Sequence, residues 1–246
     1  MNAICKITFK RVNLNMIEEF SMPEISIILP CRNEETALPF CLEKIQNIIK
    51  SNNLSAEIIV SDSSSDNSPV IAKSYNAILI KHNKVGYGNA YLEAFKFAKG
   101  KYIFMADADD TYDFNEIINF INALKNDSDF VIGNRFAYKI KKGVMPIERK
   151  LIGNPLLSLL LRILHKAKIK DSQCGMRAIK KTCLNNLHLK STGMEMASEM
   201  IIKATKNNLI IKELPINYFI RKGKSKLKPV TDGLRHLFLI IKEKFV

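Results

Sequence analysis

The feature that most constrains this chain is an alternation of short β-rich apolar runs with stretches of helical periodicity. Strand-like runs fall at Ile25–Leu29, Glu57–Val60, Ala77–Ile80, Tyr102–Ala106 and Phe130–Ile132. Between them lie helical patterns over 37–49, after Asp66, over 86–98 and over 113–124, with Gly100 expected to stop the third. In the first of these, Leu38, Cys41, Leu42, Ile45, Ile48 and Ile49 recur at 3.6-residue spacing. Strands alternating with helices of this length predict a mostly parallel sheet flanked by helices, wound by right-handed crossovers. Ligands of such sheets bind at the carboxyl ends of the strands, so chemistry is expected in the loops that follow them.

The second half reads differently. A basic loop over 137–150 precedes an apolar helix over 151–166 that carries Pro155. A short strand over 176–179, a helix over 195–206, paired strands over 210–214 and 216–220, a basic loop over 221–228 and a last helix from Val230 complete the pattern. No repeat, low-complexity tract or linker interrupts it. The reading is a single α/β domain with four functional parts: an extension (1–21), a first half (22–135), a second half (136–228) and a terminal amphipathic helix (229–246).

The sharpest chemical signal is Asp107-Ala108-Asp109-Asp110, directly after the fourth strand. A strand end sets Asp107 and Asp109 close together at the ligand edge. Carboxylates that close repel unless a cation lies between them. Oxygen ligands of this kind suit Mg²⁺ or Mn²⁺, and Mg²⁺ typically joins one or two carboxylates to substrate phosphates. A solvated acidic turn is the competing reading of the same residues.

The surrounding segments carry a resemblance. ILPCRNEE, EIIVSDSSSDNS, GYGNAYLEAFKFAKGKYIFMADADDTYDF, VIGNR, DSQCGMRAI and ELPINYFIRKGKSKL follow one another from residue 23 to about 237. In order and spacing they resemble inverting family 2 glycosyltransferases of the GT-A-like fold. Within that family they are most similar to dolichyl-phosphate (polyprenyl-phosphate) mannose and glucose synthases.

The resemblance implies roles for individual residues. Pro30, Arg32 and Glu34 match the first nucleotide-contacting loop, and Asp62 matches the acid at the base edge. Gly86 and Gly88 match a glycine pair that lets backbone approach the nucleotide. Asp107 and Asp109 match the metal and diphosphate acids, while a Gln that completes the metal site in several relatives is Thr111 here. Arg135 and Arg149 match basic residues at the acceptor phosphate. Arg177, in the D-x-x-x-G-x-R segment from Asp171, is placed with them and at the reaction centre. Arg221 is placed at the nucleotide diphosphate, in a closing cationic loop with Lys224, Ser225 and Lys226.

The implied reaction moves a mannose or glucose from a GDP- or UDP-hexose to a polyprenyl phosphate, by a metal-dependent single displacement. Transfer to a hydroxyl needs a general base. The base motif of hydroxyl-acceptor relatives is not evident, although Glu195 and Glu199 lie one helical turn apart. An anionic phosphate acceptor needs cations rather than a base. A saccharide or glycolipid hydroxyl as acceptor is the alternative within the same family.

Charge narrows the company the chain keeps. Lys and Arg number 38 against 24 Asp and Glu, a net charge of +14. Such a surplus attracts nucleic acid, anionic membrane or phosphorylated substrate. The excess gathers in 139–150, 162–181 and 221–228, beside loops expected to meet phosphate. No helix-turn-helix, zinc-finger spacing or RNP-type aromatic pattern supports nucleic-acid binding. Five scattered cysteines without a CxxC pair suit a reducing, cytosolic setting. The longest apolar stretch, Leu156–Leu164, falls short of the roughly 20 residues of a spanning helix. Val230, Leu234, Leu237, Phe238, Ile241 and Phe245 share one helical face, and Arg235, Lys242 and Lys244 lie elsewhere. An amphipathic helix with cations suits the headgroup plane, as core packing would also explain. The expectation is a peripheral protein on the cytoplasmic face of the membrane, or one held there by a separate anchor protein.

Overall fold

The computed structural model of the chain describes residues 22–245. The extension read over 1–21 and the terminal Val246 lie outside the described residues.

Seven strands form one sheet: β1 (Ile25–Cys31), β2 (Ala56–Asp62), β3 (Ile78–Lys81), β4 (Tyr102–Met105), β5 (Phe130–Asn134), β6 (Arg177–Lys180) and β7 (Ile211–Pro215). Their order is β3-β2-β1-β4-β6-β5-β7. All pairings are parallel except those of β6, which runs antiparallel between β4 and β5. The central strands are buried almost throughout, and the edge strands β3 and β7 are only partly covered. That contrast follows from helices on both faces, which turn central strands into continuous apolar runs.

The helices are α1 (Leu38–Ser51), α2 (Ser68–Ser74), α3 (Tyr87–Phe95), α4 (Glu116–Asn126), α5 (Asn154–His165), α6 (Lys181–Leu187), α7 (Met196–Lys206) and α8 (Pro229–Lys242). Helix α3 packs on β1 and β2, and α4 on β4, β5 and β6. Helices α5, α7 and α8 pack on one another. Pro155 does not interrupt a helix. It lies at the start of α5, and the π-helical turn at Arg149–Gly153 leads directly into it, so the helical run from residue 147 passes the proline through a widened turn.

Two local expectations fail, and one helix was not foreseen. The strand read over 216–220 is absent; after Pro215 the chain leaves the sheet, with a single bridge from Tyr218 to Tyr112. Gly100 does not end α3, which stops at Phe95. A Cβ on Gly100 would lie 2.4 Å from the Ser26 nitrogen, so the residue is needed for close approach to β1. Helix α6 is additional, its seven residues too short to show a period.

The topology brings both halves of the sequence to one edge. Glu34, Asp62 and Asp107–Thr111 follow β1, β2 and β4. Arg135 follows β5, and 216–226 follow β7. The antiparallel β6 starts at this same edge, since Arg177 pairs with Met105. The boundary drawn at 135 therefore runs through the sheet, with β6 and β7 contributed from beyond it.

Candidate active site

The acidic turn after β4 is built by an irregular backbone. Asp110 adopts a positive φ of 63°, a left-handed conformation that asparagine and aspartate visit more readily than other side-chain-bearing residues. This reverses the chain so that Asp109 O accepts a hydrogen bond from Lys222 N at 3.0 Å, and Thr111 O one from Phe219 N at 2.9 Å. Residues 219–226 thereby lie as a strap across the carboxyl edge.

The strap brings cations onto the acids. Arg221 Nη1 donates to Asp109 Oδ2 at 2.8 Å, and Arg221 Nη2 donates to Glu34 Oε1. Lys226 Nζ reaches the same Glu34 oxygen at 2.6 Å and Asn33 O at 2.9 Å. Lys222 pairs with Asp110 at 2.8 Å and lies over the Phe40 ring. Asp110 also receives Lys44 of α1. Thr111 turns its hydroxyl onto Asp109 Oδ1 at 2.6 Å. Asp110 is thus committed to lysines and does not join the pair Asp107 and Asp109.

Asp107 lies against Gly175, where a Cβ would approach Asp107 Oδ2 to 2.5 Å. Burial, and then the Asp109 charge, raise the Asp107 carboxyl to about 7; Arg221 and Arg135 oppose that rise. Burial also raises Glu34, against Lys226 and Arg221. Among the described residues no three His, Cys, Asp or Glu side chains converge on a metal-sized space. The two carboxylates fit a Mg²⁺ or Mn²⁺ that takes one or two protein oxygens and completes its shell from substrate phosphate and water. They do not fit a closed structural site.

The remaining expected residues divide. Asp62 is fully buried at the end of β2, and Lys81, in register beside it on β3, binds its Oδ2 at 2.6 Å. Its Oδ1 is buried without a partner. Pro30 is half-buried and Arg32 exposed at the same edge. Arg149 opens the π-helical turn and is half-buried, with no ion-pair partner among the described residues. Arg135 forms a bidentate pair with Asp171 at 2.7 and 2.8 Å, and stacks on Tyr218.

Arg177 is a correction. It is 1% exposed and donates to three backbone carbonyls, of Cys174, Ala197 and Ser172, each at 2.8 Å. A guanidinium so engaged cannot also bind an acceptor phosphate; it locks the start of β6 to α7. Gly86 and Gly88 are a second correction. A Cβ at either would lie about 2 Å from the carbonyl oxygen of Thr192 or Ser191 (2.2 and 2.1 Å). The first amides of α3, Gly88 N and Asn89 N, donate to Gly193 O and Thr192 O. These glycines admit the protein's own loop, so the helix start is capped rather than offered to a nucleotide.

The two acids considered as general bases are also engaged. Glu199 accepts the amides of Lys190 and Ser191 and pairs with Lys203. Although burial raises its carboxyl, Lys203 and those amides hold it below the usual glutamate range. Glu195 accepts Gly193 N and Arg235. Sequence reasoning missed Lys44, Lys81 and Lys222. Only the register of β2 with β3 and the course of the strap reveal them.

A second recess adjoins this edge beyond β5 and β7. Its volume is about 310 Å³, and it is walled by Arg135, Tyr138, Ile140, Val144, Ile216 and Ile220, with Lys139, Lys141 and Lys142 around it.

The Glycosyl transferase family 2 profile matches residues 26–187, which contain all the acids of this edge. The chain belongs to glycosyl transferase family 2. The low-salt glycan biosynthesis hexosyltransferase Agl6 of Haloferax volcanii is 39% identical over 221 residues, covering 89% of this chain. The family 2 chain spans about half of that relative's length, 54%. The dolichyl-phosphate hexose transferase of the same organism is 29% identical, with 87% of this chain and 91% of that protein covered. The dolichol-phosphate mannosyltransferase of Pyrococcus furiosus is 30% identical, with 89% and 64% covered. Among solved structures, glucosyl-3-phosphoglycerate synthase of Mycobacterium tuberculosis, in complex with Mn²⁺, UDP-glucose and phosphoglyceric acid, superposes with a TM-score of 0.72. Its sequence identity is 17%, with 91% of this chain and 80% of that one covered, and the likeness establishes a shared fold.

The raised Asp107 carboxyl gives a signed pH dependence. The native state holds this proton up to about 7, whereas an unfolded aspartate releases it near 4. Native-state stability therefore falls as pH rises between these values, because the folded chain binds more protons there. In EDTA, Asp107→Asn should melt at nearly the wild-type temperature at pH 4, and at a progressively higher one up to pH 8. A difference that does not change with pH contradicts the assignment.

Proposed function

We propose that the chain transfers a hexose, mannose or glucose, from GDP- or UDP-hexose to a polyprenyl phosphate, with inversion and with Mg²⁺ or Mn²⁺. The observation that carries this reading is the acidic pair Asp107 and Asp109 with Arg221 laid across it, beside a recess that combines cations with apolar walls. The names of the relatives Agl6, dolichyl-phosphate hexose transferase and dolichol-phosphate mannosyltransferase point the same way.

The chemistry is a single displacement. An acceptor phosphate oxygen attacks the anomeric carbon as the bond from that carbon to the nucleotide diphosphate breaks. The electron pair leaves with the diphosphate. A divalent ion held by Asp107 and Asp109 would supply charge neutralisation of that leaving group. Arg221, with Lys226 behind it, places fixed positive charge beside the same point. A guanidinium suits bidentate phosphate recognition. On the acceptor side, Lys139, Lys141, Lys142 and Arg149 suit a phosphate, and the apolar walls suit the first isoprene units. No base is required, which fits the engagement of Glu195 and Glu199 in backbone and ion-pair contacts. On the donor side, Asp62 with its unpartnered Oδ1 is the group suited to an N–H of the base.

Two neighbouring helices support a peripheral membrane position. Helix α8 buries His236 and Ile240, and its apolar stripe faces outward: Leu234 is 61% exposed, Phe238 70% and Phe245, just beyond the helix, 83%. Core packing does not explain that stripe. Helix α5 adjoins α8, where His165 meets Ile240 O, and it leaves Leu156 and Ile163 exposed. No helix among the described residues is long and apolar enough to cross a membrane. We read α5 and α8 as resting in the headgroup layer of the cytoplasmic face.

The reading is tested by incubating the protein with radiolabelled GDP- and UDP-hexoses, divalent ion and polyprenyl phosphate. Label should enter the phosphorylated lipid, not the unphosphorylated polyprenol or a saccharide, and folded Asp109→Ala should lose roughly a hundredfold or more of it. Label only in a hydroxyl acceptor, or an active Asp109→Ala, overturns the reading. For the membrane surface, the double variant Ile163→Ser/Phe238→Ser should bind anionic vesicles at least about tenfold more weakly, since each side chain contributes roughly 1.5–3 kcal/mol when buried. Unchanged sedimentation with vesicles contradicts it.

A further inference from the structure

The strap does more than border the acids: it uses them. Arg221 bridges Asp109 Oδ2 and Glu34 Oε1, and Lys226 adds a second cation to Glu34. Lys222 takes Asp110, and the backbone of 219–222 is stitched to Thr111 and Asp109. Asp109 is 5% exposed and Glu34 7%, so the carboxylates of these pairs are buried while their cationic partners reach solvent. The arrangement is also incomplete in a telling way. Glu34 Oε2 and Arg221 Nε are buried with no hydrogen-bond partner. A buried carboxylate oxygen and a buried guanidinium N–H left unpaired both cost stability, so the strap is held in a conformation that a better arrangement of charges can replace.

A divalent ion approaching Asp109 meets Arg221 there, since Oδ1 already accepts from Thr111 and Oδ2 from Arg221. An ion binding alone sets its charge against the guanidinium, and displacing Arg221 from Asp109 leaves it Glu34 as its one carboxylate among the described residues. A nucleotide diphosphate binding alone meets Asp107 and Asp109 as uncompensated negative charge. When both arrive, the ion takes the carboxylates and the diphosphate takes the guanidinium, so every charge is again paired. Resting on the donor reading above, we infer that the strap 219–226 is a built-in counter-ion plug, released only when metal and nucleotide diphosphate enter together. Linkage then fixes the consequence: each ligand raises the affinity of the other by one common factor, and that factor contains the cost of displacing the strap.

Simple bridging of an ion by diphosphate also couples the two ligands, so the test must address the strap. Mn²⁺ binding is measured by titration calorimetry, alone and with saturating UDP or GDP, on wild type, Arg221→Gln and Lys226→Gln. Circular dichroism and thermal melting establish that each variant is folded. Arg221→Gln should bind Mn²⁺ alone at least fivefold more tightly than wild type, and the coupling factor should shrink in proportion. Lys226→Gln, whose one carboxylate partner among the described residues is Glu34, should tighten Mn²⁺ binding in the same direction, by about twofold or more. Its response separates release of the strap from mere removal of a charge beside Asp109. Unchanged or weaker Mn²⁺ binding in both variants overturns the plug, as does tightening confined to Arg221→Gln. If no variant binds either nucleotide, the donor reading fails, while the comparison of Mn²⁺ alone still decides the plug.

Discussion

Two carboxylates at the end of a buried strand repel one another, and much of this molecule is arranged around that repulsion. Asp107 sits at the end of β4 with Asp109 two residues on, and burial has already raised the Asp107 carboxyl to about 7. The chain sets cations from distant parts of the sequence along this edge: Arg221 on Asp109 and Glu34, Lys226 on Glu34, and Lys222 and Lys44 on Asp110. The insertion of β6 antiparallel between β4 and β5 makes this possible. It places β5 and β7 beside the first-half strands, so that the segment after β7 can cross the acidic edge. Buried Arg177 holds that insertion in place through three carbonyls.

What was legible in the sequence follows from what is local. Strands β1 to β5 and helices α1, α4 and α7 are periodic segments, and periodicity survives without knowledge of the partner. The acids after β1, β2 and β4 were legible because a parallel sheet puts all strand ends on one side. Roles that depend on a neighbour were not. Nothing in Gly86-Tyr87-Gly88 says that its neighbour is the backbone of 191–193 rather than a ligand. Arginine chemistry allowed Arg177 a phosphate, but its place at the start of a central strand, packed on α7, decided for carbonyls. The bidentate partner of Asp171 is Arg135, 36 residues away, which no local pattern announces. The strand expected over 216–220 was displaced by the strap, whose hydrogen bonds run to the turn after β4 instead of to β7.

The positive net charge resolves into separate tasks. Part of it, on the strap and α1, neutralises the protein's own carboxylates. Another part lies on the loop 139–142 at the recess, where we place an acceptor phosphate, while Arg135 in the same wall is committed to Asp171. The outward stripes of α5 and α8 supply the apolar complement that a lipid substrate demands. These stripes and the cations beside them fit the membrane-borne acceptor we propose.

The account depends on the acidic pair exchanging Arg221 for metal and diphosphate. The most direct measurement is anomalous scattering from crystals grown with Mn²⁺ and the nucleotide diphosphate that binds. The account predicts a manganese peak within coordination distance of Asp107 or Asp109, with the Arg221 guanidinium moved from Asp109 onto the diphosphate. A peak elsewhere, or Arg221 still paired with Asp109 beside a bound nucleotide, would contradict it.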